Sequence, residues 1–194
     1  MSSPLSLEFV KSVPDLELLG ESRAEVALVG RSNVGKSSLV NALANRNKLA
    51  KTSKTPGATR LLNLYALGDG TTVVDCPGYG YASVSKAERS SWQKMMDRYF
   101  LEREPLTMVA VLVDGEIGPT KLDVQMLEWL RASGLPHSVV ATKHDKVKAA
   151  QRDKRKKELA AGCQLDPSDV VWTSVSKNVG IDRLRDVMRI WLTP

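Results

Sequence analysis

The stretch Gly-Arg-Ser-Asn-Val-Gly-Lys-Ser, Gly30 to Ser37, limits what this chain can fold into more than any other. It has the form G-x-x-x-x-G-K-S and stands between an apolar run, Ala24 to Val29, and a helix-like stretch over 36 to 44. Its glycines let the backbone close round phosphate groups with N–H groups pointing inward. Lys36 can then reach the outer phosphates, and the Ser37 hydroxyl is placed to ligate Mg²⁺. Strand, glycine-rich loop and helix in this order predict an α/β domain that binds a nucleoside phosphate.

The rest of the chain continues the alternation. Candidate strands lie at 24 to 29, 61 to 67, 71 to 75, 108 to 114, 138 to 142 and 170 to 174, and helix-like stretches near 36 to 44, 86 to 101, 120 to 132, 146 to 160 and 180 to 192. Gly-Asp-Gly at 68 to 70 marks a tight turn, so the second and third strands should form an antiparallel hairpin. The expectation is a six-stranded, mostly parallel, doubly wound sheet with helices on both faces. With 194 residues, a single domain over 24 to 194 with an extension, 1 to 23, packed on it is the natural division.

Three more segments fall where such a fold places its loops. Val-Val-Asp-Cys-Pro-Gly ends an apolar strand at Asp75, whose carboxylate would hold Mg²⁺ through a water, while the Gly78 N–H can meet a γ-phosphate. Thr142-Lys143-His144-Asp145 ends another strand. The Asp145 carboxylate can accept from guanine N1–H and its exocyclic amine, whereas adenine has no N1–H; Lys143 would cover the base with its aliphatic stem or support the phosphate loop. Thr142 stands where asparagine is more usual, which should weaken that position's structural role. Ser174, Val175 and Ser176 follow the last strand and could offer backbone N–H groups to guanine O6. Between the first helix and second strand, Lys51 to Arg60 has the place of a switch loop, with Thr59 the favoured hydroxyl for Mg²⁺ and γ-phosphate over Thr52 and Thr55.

The order G-x-x-N-x-G-K-S, T-P-G-x-T, D-x-P-G-Y-G-Y-A and T-K-x-D, covering nearly the whole chain, resembles the EngB (YihA/YsxC) family of bacterial GTPases. Pro-Gly-Tyr-Gly-Tyr-Ala and Thr142 are its more distinguishing features. The resemblance implies a Ras-like fold, binding of Mg²⁺ and GTP or GDP, a role in assembling the large ribosomal subunit, and an association with normal division septation. Expected nucleotide contacts are Gly30, Arg31, Ser32, Asn33, Val34, Gly35, Lys36, Ser37 and Ser38, then Gly57, Ala58 and Thr59, then Asp75, Cys76, Pro77 and Gly78. At the base they are Thr142, Lys143, His144, Asp145, Ser174, Val175 and Ser176. Ser37, Thr59 and Asp75 would serve the metal, and Lys36, Thr59, Gly78 and Asn33 the chemistry.

Many nucleotide switches carry a glutamine after the glycine of the Asp-x-x-Gly segment, where it orients the attacking water; this chain has Tyr79. A phenol cannot donate and accept as an amide does, so intrinsic hydrolysis should be slow. Related GTPases with asparagine at the Asn33 place can hold K⁺ against the phosphates, which would supply the missing charge. Tyr79 and Tyr81 are also candidates for a partner surface that changes on hydrolysis.

Net charge is +6, with five basic residues from Arg46 to Arg60 and six from Lys148 to Lys157 against Asp153 alone, which favours a polyanionic partner. Cys76 and Cys163 have no disulfide or metal spacing and suit a reducing compartment. No apolar run spans a bilayer, Glu8, Lys11, Asp15 and Glu17 interrupt any signal-like segment, and a cytoplasmic monomer is expected. Neither His137 nor His144 lies in a nucleophilic pattern, and the four tryptophans suit core packing. A small-molecule kinase would need an arginine-rich lid, and a trafficking GTPase an anchor; neither is visible.

Overall fold

The computed structural model describes residues 2–50, 61–80 and 86–194. Seven strands form one sheet: β1 (Glu8–Val13), β2 (Glu25–Gly30), β3 (Leu62–Ala66), β4 (Thr72–Asp75), β5 (Leu106–Asp114), β6 (His137–Thr142) and β7 (Val170–Trp172), in the order β1-β3-β4-β2-β5-β6-β7. The helices are α1 (Lys36–Ala44), α2 (Lys86–Glu102), α3 (Lys121–Ala132), α4 (Arg152–Gly162) and α5 (Ile181–Trp191). β2, β4, β5, β6 and β7 run parallel, and the β3–β4 hairpin is antiparallel as its turn predicts.

Six strands are too few. β1 adds an antiparallel edge beside β3, with a register shift between Phe9 and Lys11. Its charged and half-exposed residues do not show the alternation of a half-buried strand, because an edge strand is guarded by charges and irregularity. The neighbouring Leu5 and Leu7 are buried.

Side chains of successive strand residues point to opposite faces and divide the core. Val26, Leu28, Ala110 and Leu112 pack with Leu39, Val40 and Leu43 of α1 and Ile181, Leu184 and Met188 of α5. Ala27, Val29, Val111 and Val113 pack with Tyr99 and Phe100 of α2, Leu127 and Leu130 of α3, and Leu159 of α4. Trp92, Trp129 and Trp172 join this second core and Trp191 the first, so the tryptophans do pack as expected. Both cysteines are buried and free.

Two polar clamps fix the central strand and first helix. Glu25, at the start of β2, is fully buried and accepts from Arg103 Nε (3.0 Å) and Nη2 (2.9 Å), Tyr99 Oη (2.8 Å) and Thr72 Oγ1 (2.7 Å). A buried carboxylate is tolerable only when its oxygens are met in this way. Arg185 of α5 donates to the carbonyls of Ala42 (2.7 Å) and Leu43 (3.0 Å) and so satisfies the end of α1. The chain leaves β2 toward β3 on one side and reaches β5 on the other, which opens a crevice at the carboxyl end of β2.

Candidate functional site

The crevice begins with the phosphate loop. Asn33 (φ 65°) and Gly35 (φ 109°) both take positive φ, which turns successive N–H groups toward one concave side ahead of α1. Glycine takes this region freely, and asparagine is one of the few other residues that tolerate it. Asn33 is exposed and Lys36 is buried. Ser37 is half-buried in the first turn of α1.

Asp75 ends β4 next to this loop and is 1% exposed. Burial pushes its carboxyl above the ordinary aspartate range, opposed by the Lys36 ammonium and a hydrogen bond from Asn63. Its Oδ1 has no hydrogen-bond partner among the described residues. A buried carboxylate oxygen that meets no donor among the described residues, under the influence of a buried ammonium, is a fitting environment for a divalent cation and phosphate. Lys36, Ser37 and Asp75 could therefore hold Mg²⁺ and the outer phosphates, with the ion supplying Lewis-acid stabilisation of developing negative charge. Thr59, Gly57, Ala58 and Tyr81, with the competitors Thr52 and Thr55, lie outside the described residues.

Beyond Asp75 the chain is stitched to the phosphate loop. The Tyr79 N–H donates to the Gly30 carbonyl (3.2 Å), and the Ser32 N–H donates to the Tyr79 carbonyl (3.1 Å). Gly78 lies so close to Ser32 that a Cβ there would sit 3.0 Å from its nitrogen. The Tyr79 side chain is buried, and its hydroxyl donates to Asp123 Oδ1 of α3 (2.7 Å). Burial and the Asp123 carboxylate push the phenol well above its ordinary pKa, so it remains a donor. Asp123 Oδ2 accepts from the Thr120 N–H and hydroxyl, both 2.7 Å, at the start of α3. The phenol at the glutamine place is thus engaged with a helix, which removes it as a water-orienting group. The same burial removes Tyr79 from any partner surface in this conformation.

The base end is built from β6 and β7. Asp145 Oδ1 accepts from Ser174 Oγ (2.6 Å), and hydrogen bonds from Ser174 and Ser176 hold its carboxyl below the ordinary range. Ser174 Oγ also accepts the Lys177 N–H (3.2 Å), and the His144 N–H donates to the Thr173 carbonyl (3.0 Å). Gly180 (φ 71°) closes this loop onto α5, and a Cβ there would run into the Trp172 carbonyl. His144 packs edge-on against Trp172 at 5.4 Å. Burial lowers its pKa, with Arg152 and Lys156 adding to the effect.

Residues 25–143 match the family described as "50S ribosome-binding GTPase". The chain is 52% identical over 167 residues to the probable GTP-binding protein EngB of Thermotoga maritima, covering 86% of this chain and 85% of that one. It is 48% identical over 168 residues to the corresponding Clostridium beijerinckii protein, covering 86% and 84%. The chain belongs to the EngB GTPases. Among solved structures, that of a probable GTP-binding protein engB matches with a TM-score of 0.71 at 23% identity, covering 87% of this chain and 98% of that one, a likeness that speaks for the fold alone. The α/β P-loop GTPase fold and a GTPase activity follow from this membership.

Within this EngB chain, three expectations need correction. Thr142 keeps a structural role, since its hydroxyl donates to the Val34 carbonyl of the phosphate loop (2.8 Å) and links the base end to the phosphate end. A short hydroxyl suffices because β6 brings it beside that loop. Lys143 Nζ meets Asp114 Oδ2 (2.6 Å) at the end of β5 and does not reach toward the phosphate loop. The Ser174 N–H donates to the Val179 carbonyl (2.9 Å), closing the turn, so it is not the group offered to a base, and Ser174 acts through its hydroxyl on Asp145. Arg31, Ser38, Cys76 and Pro77 sit in or beside the phosphate end, and His144, Val175 and Ser176 at the base end.

Asp114 and Asp123 were not foreseen. A strand-ending aspartate in the third central strand is the only sequence signal for Asp114. For Asp123 the signal is Thr120-x-x-Asp123 before a helix, a capping pattern that does not mention Tyr79.

Proposed function

We propose that this GTPase is a nucleotide-dependent switch in assembly of the large ribosomal subunit, required for normal division septation, and that its intrinsic GTP hydrolysis is slow. The observation that carries the reading is the match to a family described as ribosome-binding, on a chain whose base end adjoins a strongly basic helix. Lys148, Lys154 and Lys157 are exposed, with Arg152, Arg155 and Lys156 half-buried beside them. Lys154 and Arg155 lie 3.8 and 3.7 Å from Glu158, which with Asp153 makes up the acidic residues of the helix. Such a face suits RNA phosphates, giving strong salt dependence and little sequence preference. The Arg46–Arg60 stretch would extend this footprint.

In this reading Lys36 and the loop N–H groups hold the phosphates, Ser37, Thr59 and Asp75 serve Mg²⁺, the Gly78 N–H senses the γ-phosphate, and Asp145 reads guanine. Slow hydrolysis follows from the engagement of Tyr79 with Asp123, and K⁺ at Asn33 would supply part of the missing charge. Rates equal in NaCl and KCl, with and without ribosomal subunits, would remove the K⁺ role. The reading takes the protein as a cytoplasmic monomer built of one GTP-binding domain, 24 to 194, and its extension, 1 to 23; no helix among the described residues is long and apolar enough to cross a membrane.

Sedimentation with separated ribosomal subunits tests the reading. Retention on the large subunit with a non-hydrolysable GTP analogue, but not GDP, at physiological salt is the expected result. Equal, salt-sensitive binding in both nucleotide states would reduce the basic face to a non-specific attraction for RNA and overturn the switch.

A further inference from the structure

Asp114 lies outside the phosphate loop, the Asp75 segment and the guanine segment, yet its geometry ties it to the last. It ends β5 directly opposite Thr142 in the β5–β6 ladder and is 7% exposed. One carboxylate oxygen, Oδ2, meets Lys143 Nζ at 2.6 Å. The other, Oδ1, accepts from the N–H groups of Glu116 (3.0 Å) and Ile117 (3.3 Å), so the carboxylate is fixed before the lysine arrives. The Gly115 N–H adds a bond to the Thr142 carbonyl (2.9 Å).

Lys143 itself sits at φ 56°, a backbone conformation that an unbranched lysine gains nothing from locally. A non-glycine residue held there is over-determined by its surroundings, and its side chain is aimed. With Cα fixed at the exit of β6 and Nζ fixed at the exit of β5, the four-carbon stem must lie across the floor between them. Asp145, anchored by Ser174, stands two residues further on.

We propose that Asp114 is a positioning residue that pins the Lys143 ammonium so that its aliphatic stem forms a fixed platform for the face of the guanine base. Asp114 touches neither the nucleotide's reacting atoms nor its Watson–Crick edge. Its contribution is to hold in advance a long side chain that would otherwise lose rotamer freedom on binding. The inference rests on guanine-nucleotide binding by an EngB GTPase and is independent of the ribosomal reading.

The test is a double-mutant cycle on dissociation constants for GDP and inosine diphosphate, with D114N, K143M, the double variant and K143R. The side-chain amide that D114N introduces keeps an acceptor oxygen for the Glu116 and Ile117 N–H groups, and the melting temperature of the unliganded protein reports folding. D114N and K143M should each weaken both nucleotides by about tenfold, the size expected for one charge-assisted hydrogen bond. The ratio of GDP to inosine diphosphate affinity should hold, because the platform does not read the exocyclic amine, and the double variant should be no weaker than K143M. K143R should recover most of the loss. Additive losses, a D114N affinity within about twofold of wild type, or a shifted nucleotide ratio would each overturn the proposal. If D114N does not fold, the remaining pair decides: K143R binding as poorly as K143M contradicts a pinned cationic stem.

Discussion

At the phosphate end, Asp75 is buried with one oxygen unpartnered and its carboxyl pushed up by burial; at the base end, half-buried Asp145 is held by serine hydroxyls with its carboxyl pulled down. One carboxylate has an oxygen that meets no donor among the described residues, while the other is oriented by serine hydroxyls of the protein itself. A site that leaves a buried group unmet where charge arrives, and settles one where recognition occurs, separates sensing from specificity.

The largest effect should come from the base end. Asp145→Asn keeps one acceptor oxygen for N1–H but replaces the other with an amide N–H, which cannot accept from guanine's exocyclic amine and can donate to the 2-carbonyl of xanthine, so discrimination of GTP over its xanthine counterpart should fall by about 10³-fold or more. Competition of the two triphosphates for the same site measures it, and an unchanged ratio would deny Asp145 its role as reader.

Next is Asp75→Asn. Mg²⁺-dependent hydrolysis should drop by about 10²-fold or more. The unliganded fold should lose nothing and gain up to about 1–2 kcal/mol, because an unmet buried charge has been removed. Parallel rate and denaturation measurements separate the two effects, and loss of both activity and stability would mean that Asp75 is a structural residue. By contrast, Gly180→Ala attacks the base end through backbone strain and should destabilise the protein by about 2–3 kcal/mol, read as a fall in melting temperature.

Tyr79→Phe is milder. It leaves Asp123 Oδ1 without its buried donor and should cost about 1–2 kcal/mol of stability, with GTP turnover altered by less than about threefold. A large fall in turnover at unchanged stability would mean that the phenol turns toward the phosphates during hydrolysis.

Acid should sharpen the contrast between the ends. Because the folded protein raises the Asp75 pKa, the unliganded fold binds that proton more readily than the unfolded chain and gains stability as pH falls toward it. Mg²⁺ competes with the same proton, so the metal-dependent part of GTP affinity weakens first. The lowered Asp145 pKa keeps its carboxylate ionised to lower pH, and the preference for GDP over inosine diphosphate should survive the loss of the metal effect. Loss of that preference first would invert the account.

Much of this was legible in the chain. β2, β4, β5 and β6 are buried runs with helices between them, and such patterns translate directly into a parallel sheet. The phosphate loop, Asp75 and Asp145 are short motifs in which local geometry and chemistry coincide. β1 was hidden because an edge strand carries charges and a bulge, and its partner β3 lies some fifty residues on. The Asp114–Lys143 and Tyr79–Asp123 contacts were hidden for another reason: each joins residues that only the folded sheet brings together. Thr142 shows a third limit, since the usual residue at a motif position need not be the only one that can make its bond.

The central claim, that the phosphate end is completed by a metal at Asp75 while the base end is finished by the protein, is tested most directly by calorimetric titration of a non-hydrolysable GTP analogue. Wild type and Asp75→Asn are each measured with and without Mg²⁺. Mg²⁺ should tighten wild-type binding by about tenfold or more and leave the variant unchanged. An equal Mg²⁺ effect in both proteins would contradict it.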